Sequence, residues 1–370
     1  MKIKTITCHK VYNYGATLQE YALIEYLINI GYEAETINYT PNYLTHDFSF
    51  FSNSSNPKYS SNLFIKLLYL IGKIPHRLIL LQRKKAFDIF EKKFIPSTNY
   101  NYKTNEELKK NLPMADAYIC GSDQIWNSYF QNGKDPAFYL DFVPENKLKI
   151  SYAASFAIDE IEGSLKNFVK EKVSRINFVS VREISGVGIL KDLGIKNIQQ
   201  VLDPIFLLDK SYWETTFVTP IQDNFLFVYD FDSNPLLKKL AINLAKKYKL
   251  KVFSVNKNIK YADKNFWLKG PEIFLSLVFH AKFILSNSFH AVAFSLIFNK
   301  QFLVFNRNEV INTRMRDLLK LIDAETLLFT EKQITEGDIT LNTISNYKLI
   351  NDKIEKAIDN SKEFLTNALL

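Results

Sequence analysis

The run FILSNSFHAVAFSLIF (Phe283 to Phe298) carries Asn287, Ser288 and His290 at the corner between a short apolar strand and a strongly apolar helix. An imidazole titrates near neutrality and can pass a proton in either direction. An Asn amide, a Ser hydroxyl and the first N–H groups of a helix suit a phosphate. A histidine in an apolar stretch is more often structural, but a place at a helix start favours a general acid–base role. His280, inside a helical run, reads as structural. His9 stands near the opening turn and is a weak candidate for the lining of a cleft.

Three other junctions repeat the design of an apolar strand followed by small or polar residues where a helix should begin. In KIKTITCHKVYNYGATLQEYAL, from Lys2, the turn Asn13-Tyr14-Gly15-Ala16-Thr17 precedes a helical run. Free N–H groups and a glycine that admits a close ligand make it an expected anion site. In AYICGSDQIWN (Ala117 to Asn127), Gly121 permits a tight turn, Ser122 can cap a helix, and Asp123 falls at the carboxyl end of a strand. Gln124 and Trp126 follow it toward the expected cleft. SYAASFA puts Ser155 in the same kind of place.

The cations cluster at similar points. Arg182 ends the strand NFVSV, and a guanidinium at a strand tip suits bidentate capture of a carboxylate or phosphate. Its bland alternative is a salt bridge to Glu183 or Asp203. Asp203, before Pro204, reads as a turn residue. NRNEVINTRMRDLL adds Arg307, Arg314 and Arg316 after the last strand. DFD (Asp230 to Asp232) has the D-x-D shape of metal-dependent sugar transfer, a match too short to carry weight. The absence of H-x-x-x-H, C-x-x-C, Walker, G-x-G-x-x-G and G-x-S-x-G patterns disfavours a zinc enzyme, kinase, dehydrogenase or serine hydrolase.

Such corners need strands and helices in alternation, and the sequence supplies them. IKTITC, AETINY, AYIC, ISYAAS, NFVSV and QQVLD read as strands; NFLFVYDF, LKVFSV, KFILSNS and QFLVF form a second series beyond Pro204. TLQEYALIEYLINI between the first two is apolar on most faces. The pattern predicts an α/β protein of two Rossmann-like domains facing a cleft, with parallel strands joined by right-handed crossovers. Ligands in such sheets bind beyond the strands' carboxyl ends. Residues 1–204 form the expected N-terminal domain, with a loop and a basic helical insertion at about 41–98. Residues 205–340 form the second domain, and 341–370 a helix that packs back across both.

The 370 residues suit two domains, and a composition 47% hydrophobic and 23% charged is globular. The net charge of +8 favours anionic surroundings; with no compact Lys/Arg block, no nucleic-acid partner is expected. Cys8 and Cys120 read as buried thiols of a reducing compartment. The N-terminal residues lack the uninterrupted apolar stretch expected of a signal peptide, and Leu63 to Leu81 is too interrupted by charge to span a bilayer. The expectation is a cytoplasmic protein. A peripheral contact of the basic segment 63–93 with the inner face of a membrane stays open, and so does a role of the aromatics between Tyr43 and Asn62 in stacking on sugars.

Taken in order, NYGATLQEYAL, GSDQIWN, ISYAASFA, SVRE, LDP, KGPEIFLSLVFHAKFILSNSFHAVAFSLIF and NTRMRDLL resemble the polysaccharide pyruvyl transferase family, from about Asn13 to Leu319. The resemblance implies a GT-B-like fold and metal-independent transfer of a pyruvyl group from phosphoenolpyruvate, with no cofactor. The product would be a cyclic ketal on a sugar of a cell-surface polysaccharide, such as a capsule or exopolysaccharide, or of its nucleotide- or lipid-linked precursor. It places the arginine of an S-V-R-[DE] motif on Arg182 and the histidine of an S-F-H-G motif on His290, both associated with the donor. Two positions depart: Ala291 replaces the usual glycine, and Arg307 stands where some members have lysine. On this reading His290 and Asp123 manage protons. Arg182, Arg307, Arg314, Asn287 and Ser288 hold the donor. Asn13, Tyr14, Gly15 and Gly121 line the cleft or meet the acceptor, with Ser122, Gln124, Trp126 and Ser155. The alternatives are a glycosyltransferase using a nucleotide sugar on the same frame, and an inactive glycan-binding or assembly protein.

Overall fold

A computed structural model describes residues 1–45, 74–256, 259–308, 311–330, 334–335, 338–339 and 343–370. Most of the aromatic loop and the start of the basic stretch (46–73) lie outside these residues. Helices of eight residues or more are labelled below.

The N-terminal sheet is wholly parallel, in the order β2-β1-β3-β4-β5-β6. Its strands are β1 (Lys2–Ile6), β2 (Glu33–Thr36), β3 (Ala117–Cys120), β4 (Leu148–Ala154), β5 (Phe178–Val181) and β6 (Ile198–Gln200). Helix α1 (Tyr14–Asn29) joins β1 to β2, and α2 (Ile74–Phe94) belongs to the insertion; α3 (Lys166–Val173) and α4 (Ile184–Asp192) follow β4 and β5.

A 3₁₀ turn (Pro204–Leu207) and α5 (Lys210–Phe217) lead into the second domain. Its sheet, also parallel, runs β11-β10-β7-β8-β9. These are β7 (Phe225–Tyr229), β8 (Lys251–Ser254), β9 (Lys264–Asn265), β10 (Phe283–Ser286) and β11 (Phe302–Val304), with α6 (Pro235–Tyr248), α7 (Pro271–His280), α8 (Phe289–Ile297) and α9 (Thr313–Leu321). Strand β7, FLFVY, is buried at all five positions, as a strand covered on both faces must be. Both sheets reverse order at one point, between β1 and β3 and between β7 and β10. The crevices that form there are the natural ligand sites of such sheets.

The position of α1 accounts for its being apolar on most faces. It is buried on nearly every side, between its own sheet and α7, α8 and the 3₁₀ turn beyond it. Tyr21 packs edge-on against Phe90, Phe94, Trp213 and Phe217. One apolar core therefore runs through both domains. Helix α10 (Tyr347–Leu369) begins beside the second domain, where Lys353 pairs with Asp323, and ends on the first, where Ser361 accepts from the Leu202 N–H at 2.9 Å. Among the described residues no helix is long and apolar enough to cross a membrane.

The expected helix after β3 does not form. Residues 121–147 make turns and two short 3₁₀ segments, and Asp123 is left-handed at φ 62°. Asn, Gly and Pro between Asn127 and Pro136 break any helical run there. The Ser122 hydroxyl, expected as a cap, donates instead to the Ala153 carbonyl at 2.7 Å. No helix begins at Ser155 either.

Candidate active site

The corner from β10 to α8 is fixed by its own polar side chains. Ser288 caps α8 by accepting from the Ala291 N–H at 3.4 Å. Asn287 accepts from the Phe231 N–H at 2.9 Å and donates to Asp230 at 2.9 Å. It thereby ties the ends of β7 and β10 together. Both were expected to cradle a phosphate; Ser288 is committed to the backbone of the corner, and Asn287 to the Phe231 N–H and the Asp230 carboxylate.

His290, in the first turn of α8, reaches across to the other domain and lies against Gly15 of α1. A Cβ built on Gly15 would fall 2.0 Å from His290 Nδ1 and 2.2 Å from Cγ. Gly15 therefore makes room for an imidazole from the opposite domain. The anion expected at this turn finds its N–H groups taken: the Asn13 side chain accepts from Gly15 at 3.0 Å and Ala16 at 3.3 Å.

Around the imidazole the sequence brings acids and arginines from distant elements. Asp203, fully buried before its 3₁₀ turn, has one oxygen 2.5 Å from Arg182 Nη1 and 3.5 Å from His290 Nε2. Burial opposes its charge, but His290 and Arg182 prevail and hold the carboxyl at about 2. Arg182 Nε also meets Glu183 at 3.4 Å, and Ser155 donates to the same carboxylate. Burial pushes the Glu183 carboxyl up, against the pull of Arg182.

Arg314, from α9, completes the cluster. Arg182 and Arg314 both overlie the Phe289 ring, at 4.6 and 5.7 Å from its centroid. Both reach the same Asp123 oxygen, at 3.8 and 3.5 Å. Burial and the like charge of Arg182 lower the Arg314 guanidinium to about 10. Among the described residues Arg182 Nη2, Arg314 Nε, Glu183 Oε2 and His290 Nε2 are buried without a hydrogen bond. Buried polar atoms without partners are costly, and these four belong to side chains linked through Phe289, Asp123 and Asp203. No group of three His, Cys, Asp or Glu side chains could hold a metal ion among the described residues.

Other residues expected at the cleft lie elsewhere. Trp126 is fully buried, stacked on Tyr139 at 5.3 Å, and donates to the Phe138 carbonyl; it is core. Gln124 accepts from Asn127 at 2.9 Å on the neighbouring turn. Gly121 has φ 119° and no room for a Cβ, which would meet the Tyr152 carbonyl at 2.1 Å. Ser122 is buried and its N–H donates to Gln19 at 3.0 Å. His9 is buried against Glu20 at 2.8 Å, not in the cleft. His280 is the last residue of α7, and its Nε2 lies 3.1 Å from the Thr219 carbonyl.

Tyr14 is also fully buried. It stacks on Phe274 at 5.3 Å, and its hydroxyl meets the Lys269 carbonyl at 3.1 Å. Arg83 of α2 reinforces this latch: it donates to the Tyr14 hydroxyl at 3.1 Å, to the Tyr12 carbonyl at 2.8 Å and to the Trp267 carbonyl. Beside it, beyond the carboxyl ends of β7 and β8, opens a polar cavity of about 300 Å³, lined by Asn13, Arg83, Asp230, Phe231, Asn256 and Trp267, among others. Arg307 sits at its edge, its guanidinium 4.8 Å from the Phe231 ring and 3.4 Å from Asp232.

Sequence reasoning underrated Asp203 and Glu183, read as salt-bridge partners or a turn residue, and missed Phe289, Arg83 and Phe231. The adjacency of Glu183 to Arg182 was a usable signal. Nothing local marks Asp203, because its partners come from β5 and α8.

Residues 13–309 match the family described as polysaccharide pyruvyl transferase. No curated protein matches the sequence. Among solved structures, UDP-N-acetylglucosamine 2-epimerase from Rickettsia bellii is 15% identical, covering 100% of this chain and 96% of that one, with a TM-score of 0.49. The Methanocaldococcus jannaschii UDP-GlcNAc 2-epimerase is 11% identical over 97% and 93%, with a TM-score of 0.47. E. coli heptosyltransferase WaaC with ADP is 10% identical over 85% and 90%, with a TM-score of 0.38.

Proposed function

The chain belongs to the polysaccharide pyruvyl transferase family, and on that premise we propose that it moves the pyruvyl group of phosphoenolpyruvate onto two hydroxyls of one sugar residue, forming a cyclic ketal. The observation that carries the reading is the pair of buried arginines, Arg182 and Arg314, brought from opposite domains to the side of His290. Phosphoenolpyruvate is a small dianion or trianion with a carboxylate and a phosphate. Two planar cations over one phenyl ring, with Arg182 Nη2 and Arg314 Nε without a hydrogen bond, supply charge-assisted donors for the two groups. Asp123 holds these arginines only at 3.5 and 3.8 Å, and a tighter anion could displace it.

In this scheme a first sugar hydroxyl adds to the central carbon of the enol phosphate while a proton goes to the methylene carbon, which becomes the methyl group. Phosphate then leaves with its bonding pair, and the resulting oxocarbenium-like carbon is closed by the second hydroxyl, whose proton ends on phosphate or solvent. His290 is the proton donor we assign to the methylene, oriented by Gly15 beneath it and Asp203 beside it. Asp123 takes the hydroxyl proton. The arginines stabilise the charge of the departing phosphate.

The test is the melting temperature of wild type and Arg182→Ala with phosphoenolpyruvate, pyruvate, phosphate and a set of nucleotide sugars. A ligand at a hundred times its dissociation constant adds about 2.7 kcal/mol. A shift with phosphoenolpyruvate that vanishes in Arg182→Ala is the expected result. A shift with a nucleotide sugar alone would replace this proposal by glycosyl transfer.

A further inference from the structure

We propose that the 300 Å³ cavity beyond β7 and β8 docks one neutral pyranose ring, stacked on Phe231 and hydrogen-bonded by Asn13 and Asn256. That this ring belongs to the acceptor rests on the pyruvyl-transfer reading; that it is a sugar rests on the cavity alone.

Phe231 is the platform. It is a large apolar side chain left 41% exposed, yet it is held rigidly. Its N–H is bound by Asn287, the Arg307 guanidinium packs 4.8 Å from its ring centroid, and Tyr229 lies 4.7 Å away. A fixed aromatic face beside a polar hollow suits the C–H face of a sugar, whose rim carries hydroxyls.

The polar groups select the same ligand. The Asn13 side-chain oxygen is pinned by the N–H groups of Gly15 and Ala16, and that of Asn256 by the Asp230 N–H at 2.6 Å. Each amide is thereby oriented, and among the described residues neither NH₂ group has a protein acceptor. Two donors are offered to the cavity. Asp230 offers an acceptor, its carboxylate already held by Asp232, Asn234 and Asn287. Among the described lining residues the cation is Arg83, engaged by Tyr14, Tyr12 and Trp267. A phosphate or carboxylate would therefore meet a fixed carboxylate beside an arginine already bonded through both Nη atoms. A ring of hydroxyls meets what it needs, and the volume is at the small end for ligand pockets.

Place supports the role. Asn287, which anchors Phe231, shares the β10–α8 corner with His290, and Asn13 caps the helix whose Gly15 lies under the same imidazole. A sugar held here adjoins the proton donor.

The test uses saturation-transfer NMR on the full chain with p-nitrophenyl pyranosides of galactose, glucose, mannose, N-acetylglucosamine and N-acetylmannosamine, and with uridine. At least one glycoside should receive saturation on its ring protons, and Phe231→Ala should weaken it about tenfold while Phe231→Trp retains it. Asn13→Asp keeps the helix cap but deletes one donor, and should weaken the same glycoside with no loss of melting temperature. No transfer to any glycoside, equal binding by Phe231→Ala, or displacement of the glycoside by uridine would overturn the proposal. Calorimetry of phosphoenolpyruvate on wild type and Phe231→Ala separates the two readings. Equal donor affinity is expected in both. Sugar binding without any donor binding would sink pyruvyl transfer and leave this site standing.

Discussion

Gly15→Ala asks whether the contact between the two domains sets the position of His290. The new methyl would sit 2.0 Å from Nδ1 and 2.6 Å from Cε1, where carbon and nitrogen need about 3.4 Å. The imidazole must retreat by more than an ångström, and Asp203 lies 3.5 Å from its other nitrogen. Displacements near 1 Å cost on the order of a hundredfold in rate. Stability should change far less. Gly15 lies in the first turn of α1 with ordinary helical backbone, so alanine returns up to ~1 kcal/mol of helix propensity against ~1–3 kcal/mol of overpacking. The expected variant melts within a few degrees of wild type, binds phosphoenolpyruvate, and loses roughly a hundredfold in phosphate release with acceptor. The double variant Gly15→Ala/His290→Ala should be no slower than His290→Ala, because the clash disappears with the ring. Activity of Gly15→Ala within twofold of wild type, with an unaltered imidazole ¹⁵N spectrum, would refute the reasoning.

Two pH predictions follow from buried carboxylates. Glu91 has both oxygens buried without a hydrogen bond, beside His9 and Glu20. Burial pushes it up to about 7, with His9 pulling down and Glu20 adding to the rise. A carboxyl raised on folding contributes stability that is complete below about pH 4.3 and is lost as pH rises through 7, roughly 3 kcal/mol in all. His9 shifts up as well, because Glu20 outweighs its burial, and its sign is the same. Glu91→Gln should therefore flatten the fall in urea midpoint between pH 5 and 8 without abolishing it; parallel curves would count against the assignment. Asp203 is the opposite case. Held at about 2, it contributes roughly 2 kcal/mol above pH 4 that fades as pH falls toward 2. Asp203→Asn should be less stable than wild type at pH 6, with the gap closing as pH falls to 2 and below, and a gap independent of pH would show the charge to be irrelevant.

What the sequence determined by itself was the rhythm of the chain and the chemistry at its corners. Short β-branched and aromatic runs alternating with helical ones allow little except parallel sheets with helices on both faces. A strand tip followed by Arg182, or by Asn287, Ser288 and His290, marks the carboxyl ends where ligands bind. Those features rest on nearest neighbours, and local periodicity records them. The tertiary structure decided which residues meet. Tyr14 and Trp126 sit in motif-like turns, and only packing shows one latched between domains and the other stacked in the core. Asn287 and Ser288 have side chains equally suited to a phosphate or to a backbone N–H, and the backbone was nearer. Asp203 read as a turn residue or a salt-bridge partner of Arg182, and only the fold brought His290 to it as well. Gly15 looked like an opening for an anion, and the fold filled that opening with an imidazole from the other domain. Contacts between distant segments depend on how two sheets are set against one another, and that is a property of the whole shared core, which no local stretch of sequence contains.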